Sequence, residues 1–117
     1  MSDNEIVQTV LNYVEGWYQA DSTRMERALH PKLAKRRITP EGEVWEVDKD
    51  WMVDATGNGR GAIENPEKGR KEITILDKTD TMASVKLTSE QFVDYLHLAC
   101  DEGKWVIVNV LWDYLPS

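Results

Sequence analysis

Two polar side chains interrupt mostly apolar runs near the C-terminus: Asp94 in the run Phe92–Ala99 and Asn109 in the run Trp105–Leu115. A carboxylate held among apolar groups loses hydration. Its pKa then rises toward neutrality, which is how a general base is made. Asp94 is therefore the candidate acid–base, with Asn109 as a second polar group on the same floor. A plainer reading puts Asp94 near a rim or pairs it with Lys or Arg.

The other chemistry-bearing residues are less pointed. His97 falls on the opposite face of its strand from Asp94, beside Tyr95, as an interface residue would. His30 precedes Pro31 at an expected helix end, where imidazolium suits the helix dipole. Two His separated by most of the chain make no metal signature, and neither metal nor cofactor is expected. Lys32, Lys35, Arg36 and Arg37 are the one basic cluster; on a strand Lys35 and Arg37 share one face and Arg36 takes the other. They could draw an anionic ligand to a cavity mouth, or be solvated charge on an edge strand. Gly57-Asn58-Gly59-Arg60-Gly61 mimics a phosphate loop, but follows no strand and opens no obvious helix, so the dinucleotide fingerprint fails. Trp17, Tyr18 and Trp51 lie on predicted helices and could fill a core or line a pocket for a flat ligand.

The whole chain bounds what these residues can serve. With 117 residues there is room for one core, so a single domain over 1–117 is expected. A net charge of −7 repels phosphate backbones, which argues against nucleic acid as a partner. Cys100 is the lone cysteine, so no internal disulfide and no cysteine metal site can form. The opening Met1-Ser2-Asp3-Asn4-Glu5 has neither the basic region nor the apolar run of a signal peptide. No stretch approaches the roughly 20 apolar residues that cross a bilayer, so no membrane is expected and the cytoplasm is the expected location.

Elements follow from periodicity. Ile6, Val10, Tyr13, Val14 and Trp17 recur at helical spacing, with Ser2 or Asp3 as candidate cap. Asp21 or Ser22 opens a shorter helix through Met25 and Leu29, stopped by Pro31. A segment Leu33–Ile38 and a partner Glu43–Val47 suggest a hairpin. Asp48 caps a third helix containing Trp51 and Met52, and Gly57 to Gly69 is a loop. From Arg70 the period is two, giving four consecutive strands and an antiparallel meander. The predicted class is α+β.

The last hairpin, centred on Glu102-Gly103, sets Cys100 opposite Trp105. Continued without a break, that register puts Asp94, Leu96, Leu98, Ile107, Asn109 and Leu111 on one face. Val93, Tyr95, His97, Val106, Val108, Val110 and Trp112 take the other. Both faces are apolar, whereas a half-exposed strand alternates cleanly. The helices can cover one; a second copy of the chain is the simplest cover for the other.

The helix ending in Gly-Trp-Tyr-Gln-Ala-Asp, the stop Ala28-Leu29-His30-Pro31 and the long terminal hairpin resemble the nuclear transport factor 2-like superfamily. Within it the sequence is most similar to the small bacterial proteins called putative lumazine-binding, beside the polyketide cyclase-like (SnoaL-like) group. The resemblance implies a cone: helices packed in the mouth of a strongly bent, cystatin-like sheet, a cavity between them, and dimerisation through the sheet. It implies no single activity, because the superfamily hosts isomerases, cyclases, dehydratases and proteins without chemistry. In its ketosteroid isomerases a first-helix Tyr stabilises an enolate and a first-strand Asp is the base. Laid on without gaps, Tyr13 falls on that Tyr and Arg37 on that Asp. Arginine stays protonated and cannot be the base.

Two functions are therefore expected. The first is a binding protein holding a small aromatic or heterocyclic ligand, with Tyr13, Trp17, Tyr18, Trp51, Asp94 and Asn109 as its contacts. The second is a cofactor-independent isomerase, cyclase or dehydratase with Asp94 as acid–base.

Overall fold

The computed structural model describes residues 2–116, and within it the wide apolar stripe of the first segment forms helix α1, Ser2–Gln19. Its face buries Ile6, Val10, Tyr13, Val14 and Tyr18. Ser2 and Asp3 already lie inside the helix, so its cap falls outside the described residues. Ala20 takes a left-handed turn (φ 56°), and the Asp21 N–H bonds the Gly16 carbonyl at 2.9 Å. Asp21 then caps α2, Ser22–Ala28, by accepting from the Arg24 N–H.

Strand β1 runs Leu29–Ile38 and β2 Val44–Val47. His30 and Pro31 thus belong to β1 and not to a helix end. The His30 imidazole accepts from the Lys32 N–H at 2.9 Å and lies 3.7 Å from the Asp101 carboxylate. Asp48 caps α3, Lys49–Gly57, as its position predicts. A loop holding one 3-10 turn, Pro66–Lys68, leads to β3 (Glu72–Lys78), β4 (Met82–Thr88), β5 (Phe92–Asp101) and β6 (Lys104–Tyr114).

The six strands make one open sheet in the order β2-β1-β6-β5-β4-β3. The class is α+β, as the periodicity indicates, but the sheet is mixed, because β1 runs parallel to β6. β1 is therefore an interior strand and β2 the edge, so the basic cluster does not sit on an edge. Register shifts interrupt the β1–β6, β3–β4 and β5–β6 pairs. Each such bulge bends its strand and adds twist, which curls the sheet around the helices.

The β5–β6 turn has Glu102 at φ 51° and Gly103 at φ 79°, the doubly left-handed hairpin turn that matches strand twist. Cys100 pairs with Trp105 as expected, and Leu98 with Ile107. The next pair is His97 with Asn109, leaving Val108 as an extra residue. Beyond that point every side chain of β6 changes face relative to an unbroken register. Val110 and Trp112 turn inward; Asn109 and Leu111 turn outward. Val110 is 1% exposed and Leu111 51%.

Candidate functional site

The bulge builds the site. One row of inward side chains now crosses the sheet as Leu87 on β4, Asp94 on β5 and Trp112 on β6. Arg37 on β1 continues it, one residue beyond the Arg36–Leu111 pair, and Trp45 on β2 faces Arg37. The row behind it is Val85, Leu96, Val110, Lys35 and Val47. Helices α1 and α3 roof these rows with Tyr13, Trp17, Trp51 and Met52. A cavity of about 510 Å³ remains between sheet and helices, large enough for a small organic molecule.

Its floor is a three-residue relay. The Tyr13 hydroxyl donates to Asp94 Oδ2 at 2.8 Å and accepts from the Lys35 ammonium at 2.6 Å. Burial drives the charge behaviour of all three. It pushes the Asp94 carboxyl up, against weaker opposing pulls from the Lys35 cation and the Tyr13 hydrogen bond. It pushes the Lys35 amine down, against the Asp94 charge. The Tyr13 phenol moves well above its ordinary value through burial, then the Asp94 charge and hydrogen bond. Both ends of the relay thus shift toward their neutral forms. Tyr13 can take a proton from Lys35 while giving its own to Asp94, which turns an ion pair into a neutral pair.

The walls are aromatic. Trp112 makes edge-on contacts with Trp45 at 5.7 Å and Phe92 at 5.1 Å, and Trp45 meets Trp51 edge-on at 5.3 Å. Such contacts hold rings at fixed angles. The Lys35 ammonium lies over the rings of Tyr13 and Trp112, at 5.1 and 5.7 Å. The buried Trp112 indole N–H has no hydrogen-bond partner among the described residues. Leaving such a donor unmet costs about 1–3 kcal/mol.

Of the residues expected from sequence, Tyr13, Trp17, Trp51 and Asp94 come together around this cavity. Tyr18 does not line it. Its hydroxyl donates to the Arg70 carbonyl at 2.6 Å and accepts from the Glu90 N–H at 2.9 Å, tying two loops to α1. Asn109 is a correction: the Val108 bulge turns it outward, where its amide bonds the His97 imidazole at 3.3 Å. Lys35, Arg37, Trp45 and Trp112 were not among the expected contacts. The shared face of Lys35 and Arg37 was the available signal, and parallel pairing to β6 is what turns that face into the cavity.

No group of three His, Cys, Asp or Glu residues able to hold a metal occurs among the described residues. No helix among them is long and apolar enough to cross a membrane.

Solved structures share this architecture. An NTF2-like protein of unknown function from Shewanella baltica OS155 is 24% identical, with TM-score 0.79, over 99% of this chain and 95% of that one. One from Silicibacter pomeroyi DSS-3 is 19% identical, with TM-score 0.83, over 97% and 96%. A third, from Methylobacillus flagellatus KT, is 20% identical, with TM-score 0.78, over 98% and 93%. At these identities the likeness is one of fold. No curated protein matches the sequence. The model of the family described as "Putative lumazine-binding" matches residues 1–113, and with nearly its whole length accounted for the chain belongs to that family, on an NTF2-like fold.

Proposed function

We propose that this domain binds a small, flat aromatic or heterocyclic molecule in the cavity between sheet and helices. The observation that carries the reading is the cavity's make-up: walls of Trp45, Trp51, Phe92 and Trp112 over a polar floor of Tyr13, Asp94 and Lys35. Mostly apolar walls with a few convergent polar groups are the ordinary form of a small-ligand site. The aromatic walls offer stacking area, and the relay can give or take a hydrogen bond. The family's name points to lumazine, a fused two-ring heterocycle of suitable size, as the first ligand to try. Titrating lumazine into the protein should quench tryptophan fluorescence saturably, and Trp112→Ala should weaken the effect. Absence of saturable quenching by lumazine and by other fused-ring heterocycles would overturn the reading.

The relay favours a second reading, a cofactor-independent isomerase, cyclase or dehydratase in which Asp94 moves a proton on the bound molecule. Tyr13 and Lys35 would then reset its protonation. Asp94→Asn separates the two readings, since an enzyme would lose turnover of a candidate substrate while the binding protein would still hold its ligand.

The same proposal includes a homodimer through the outer sheet face, where Tyr95 and Leu111 pair directly and are each about half exposed. A cytoplasmic setting suits the lone Cys100, since a reducing compartment keeps thiols free. The acidic net charge of −7 supports the exclusion of nucleic acid.

A further inference from the structure

The charges around the cavity are unevenly matched. Lys35, Arg37, Arg60 and Asp94 line it. Lys35 and Asp94 answer each other through Tyr13. The two arginines remain, in a chain whose net charge is −7.

Arg37 is held by its Nε, which bonds Asp113 at 2.9 Å. Asp113 itself is mostly solvent-exposed, so it offsets the cation weakly. The terminal nitrogens of Arg37 have no hydrogen-bond partner among the described residues. Its guanidinium lies 4.8 Å from the ring of Tyr114 and 5.6 Å from that of Trp112. Arg60, on the loop after α3, lies 5.1 Å over the Trp51 ring. No hydrogen bond or ion pair engages its side chain among the described residues. Two guanidinium groups are thus positioned by aromatic faces, with the terminal donors of Arg37 and the side-chain donors of Arg60 unspent among the described residues. A guanidinium is weakly hydrated and presents a planar fork that matches a carboxylate.

We infer that the molecule bound here is an aromatic acid, its anionic group facing Arg37 and Arg60 and its far edge facing Asp94. This rests on the binding reading above and adds the charge and orientation of the ligand. Dimensions agree. Arg37 and Asp94 lie on one row with β6 between their strands, so their backbones are about 10 Å apart, two inter-strand spacings. Two fused rings bearing a carboxylate fit that span. The reverse orientation would set the anion against Asp94. It would also leave both arginines facing hydrocarbon.

The test is calorimetric titration of the full chain with 2-naphthoate and 2-naphthamide, which share a shape and differ in charge. Naphthoate is expected to bind about tenfold tighter or better, with the advantage shrinking as salt is raised. Arg60→Gln, a change at an exposed loop position, should remove most of that advantage by lowering naphthoate affinity more than naphthamide affinity. Arg37→Gln should do the same from the sheet side. Equal affinity for the two probes, or a preference for naphthamide, would overturn the inference while leaving the binding reading intact. Failure of both probes in a protein that still binds lumazine would also overturn it. Failure of lumazine as well would take the binding reading with it.

Discussion

Lys35 and Asp94 are joined by no direct ion pair; each instead bonds the hydroxyl of Tyr13, at 2.6 and 2.8 Å. One phenol therefore meets a buried carboxylate and a partly buried ammonium from opposite sides of the cavity floor. Tyr13→Phe keeps the ring and removes the middle of this relay. It should destabilise the fold by about 1–3 kcal/mol, the cost of stranding buried polar groups. Denaturant melts at neutral pH check it. An unchanged midpoint would mean that Lys35 and Asp94 find each other or water without the phenol.

The relay also sets a pH dependence. Asp94 has a raised folded pKa, so its contribution to stability is full below about 3.9, its unfolded value, and is lost as pH rises through the folded value. Lys35 has a lowered folded pKa, so its contribution is present above about 10.4 and is lost as pH falls through the folded value. Lys35→Met removes the cation that restrains Asp94, whose pKa should climb further. The stability of the variant relative to wild type should then fall as pH rises in the acid range, and fall again in the alkaline range. Denaturation curves across pH would show it; a constant difference would contradict the coupling.

Gly61 tests how the roof is held. A Cβ at this position would fall on the indole ring of Trp17, well inside van der Waals contact. Gly61→Ala should push Trp17 or its loop aside and cost about 1–3 kcal/mol, the usual range for overpacking. The Trp17 indole signal in an NMR spectrum should move with it. An unperturbed indole would show that the loop yields freely.

The proposed dimer is tested on its own face. Tyr95→Asp with Leu111→Asp places two carboxylates on the outer face, and an unpaired charge in a dry interface is costly. Sedimentation should show a folded monomer for the double variant and a dimer for the parent. A parent that sediments as a monomer at micromolar concentration would rule the dimer out.

Much of the frame is legible in the sequence because it rests on local chemistry. Asp21 and Asp48 cap helices since a side-chain oxygen beside an apolar-periodic run has few other tasks. Glu102-Gly103 turns the hairpin because a Gly there readily takes the left-handed conformation. The site depends on two features that leave no local mark. Val108 looks like any residue of an alternating strand, yet leaving it unpaired exchanges Asn109 and Leu111 for Val110 and Trp112 on the inner face. Trp112, read from an unbroken register as an interface residue, is thereby a cavity wall. The parallel pairing of β1 with β6 is a contact between distant segments, and only it turns Lys35 and Arg37 from surface charge into lining. Asp94 survives both surprises because it lies on β5, nearer the start of the strand, where its inward direction is set by the Leu96 and Leu98 alternation. Tyr13, reached through resemblance, falls where its hydroxyl can meet that carboxylate.

Carbon-13 NMR of the Asp94 carboxyl, titrated with and without lumazine, reports whether this carboxylate is the desolvated floor of a ligand cavity. The predicted result is a pKa raised above the reference of about 3.9 in the free protein, and a further displacement when the ligand occupies the cavity. A carboxyl that titrates near the reference value and ignores the ligand would contradict it, returning Asp94 to an ordinary solvated position and leaving the cavity without its floor.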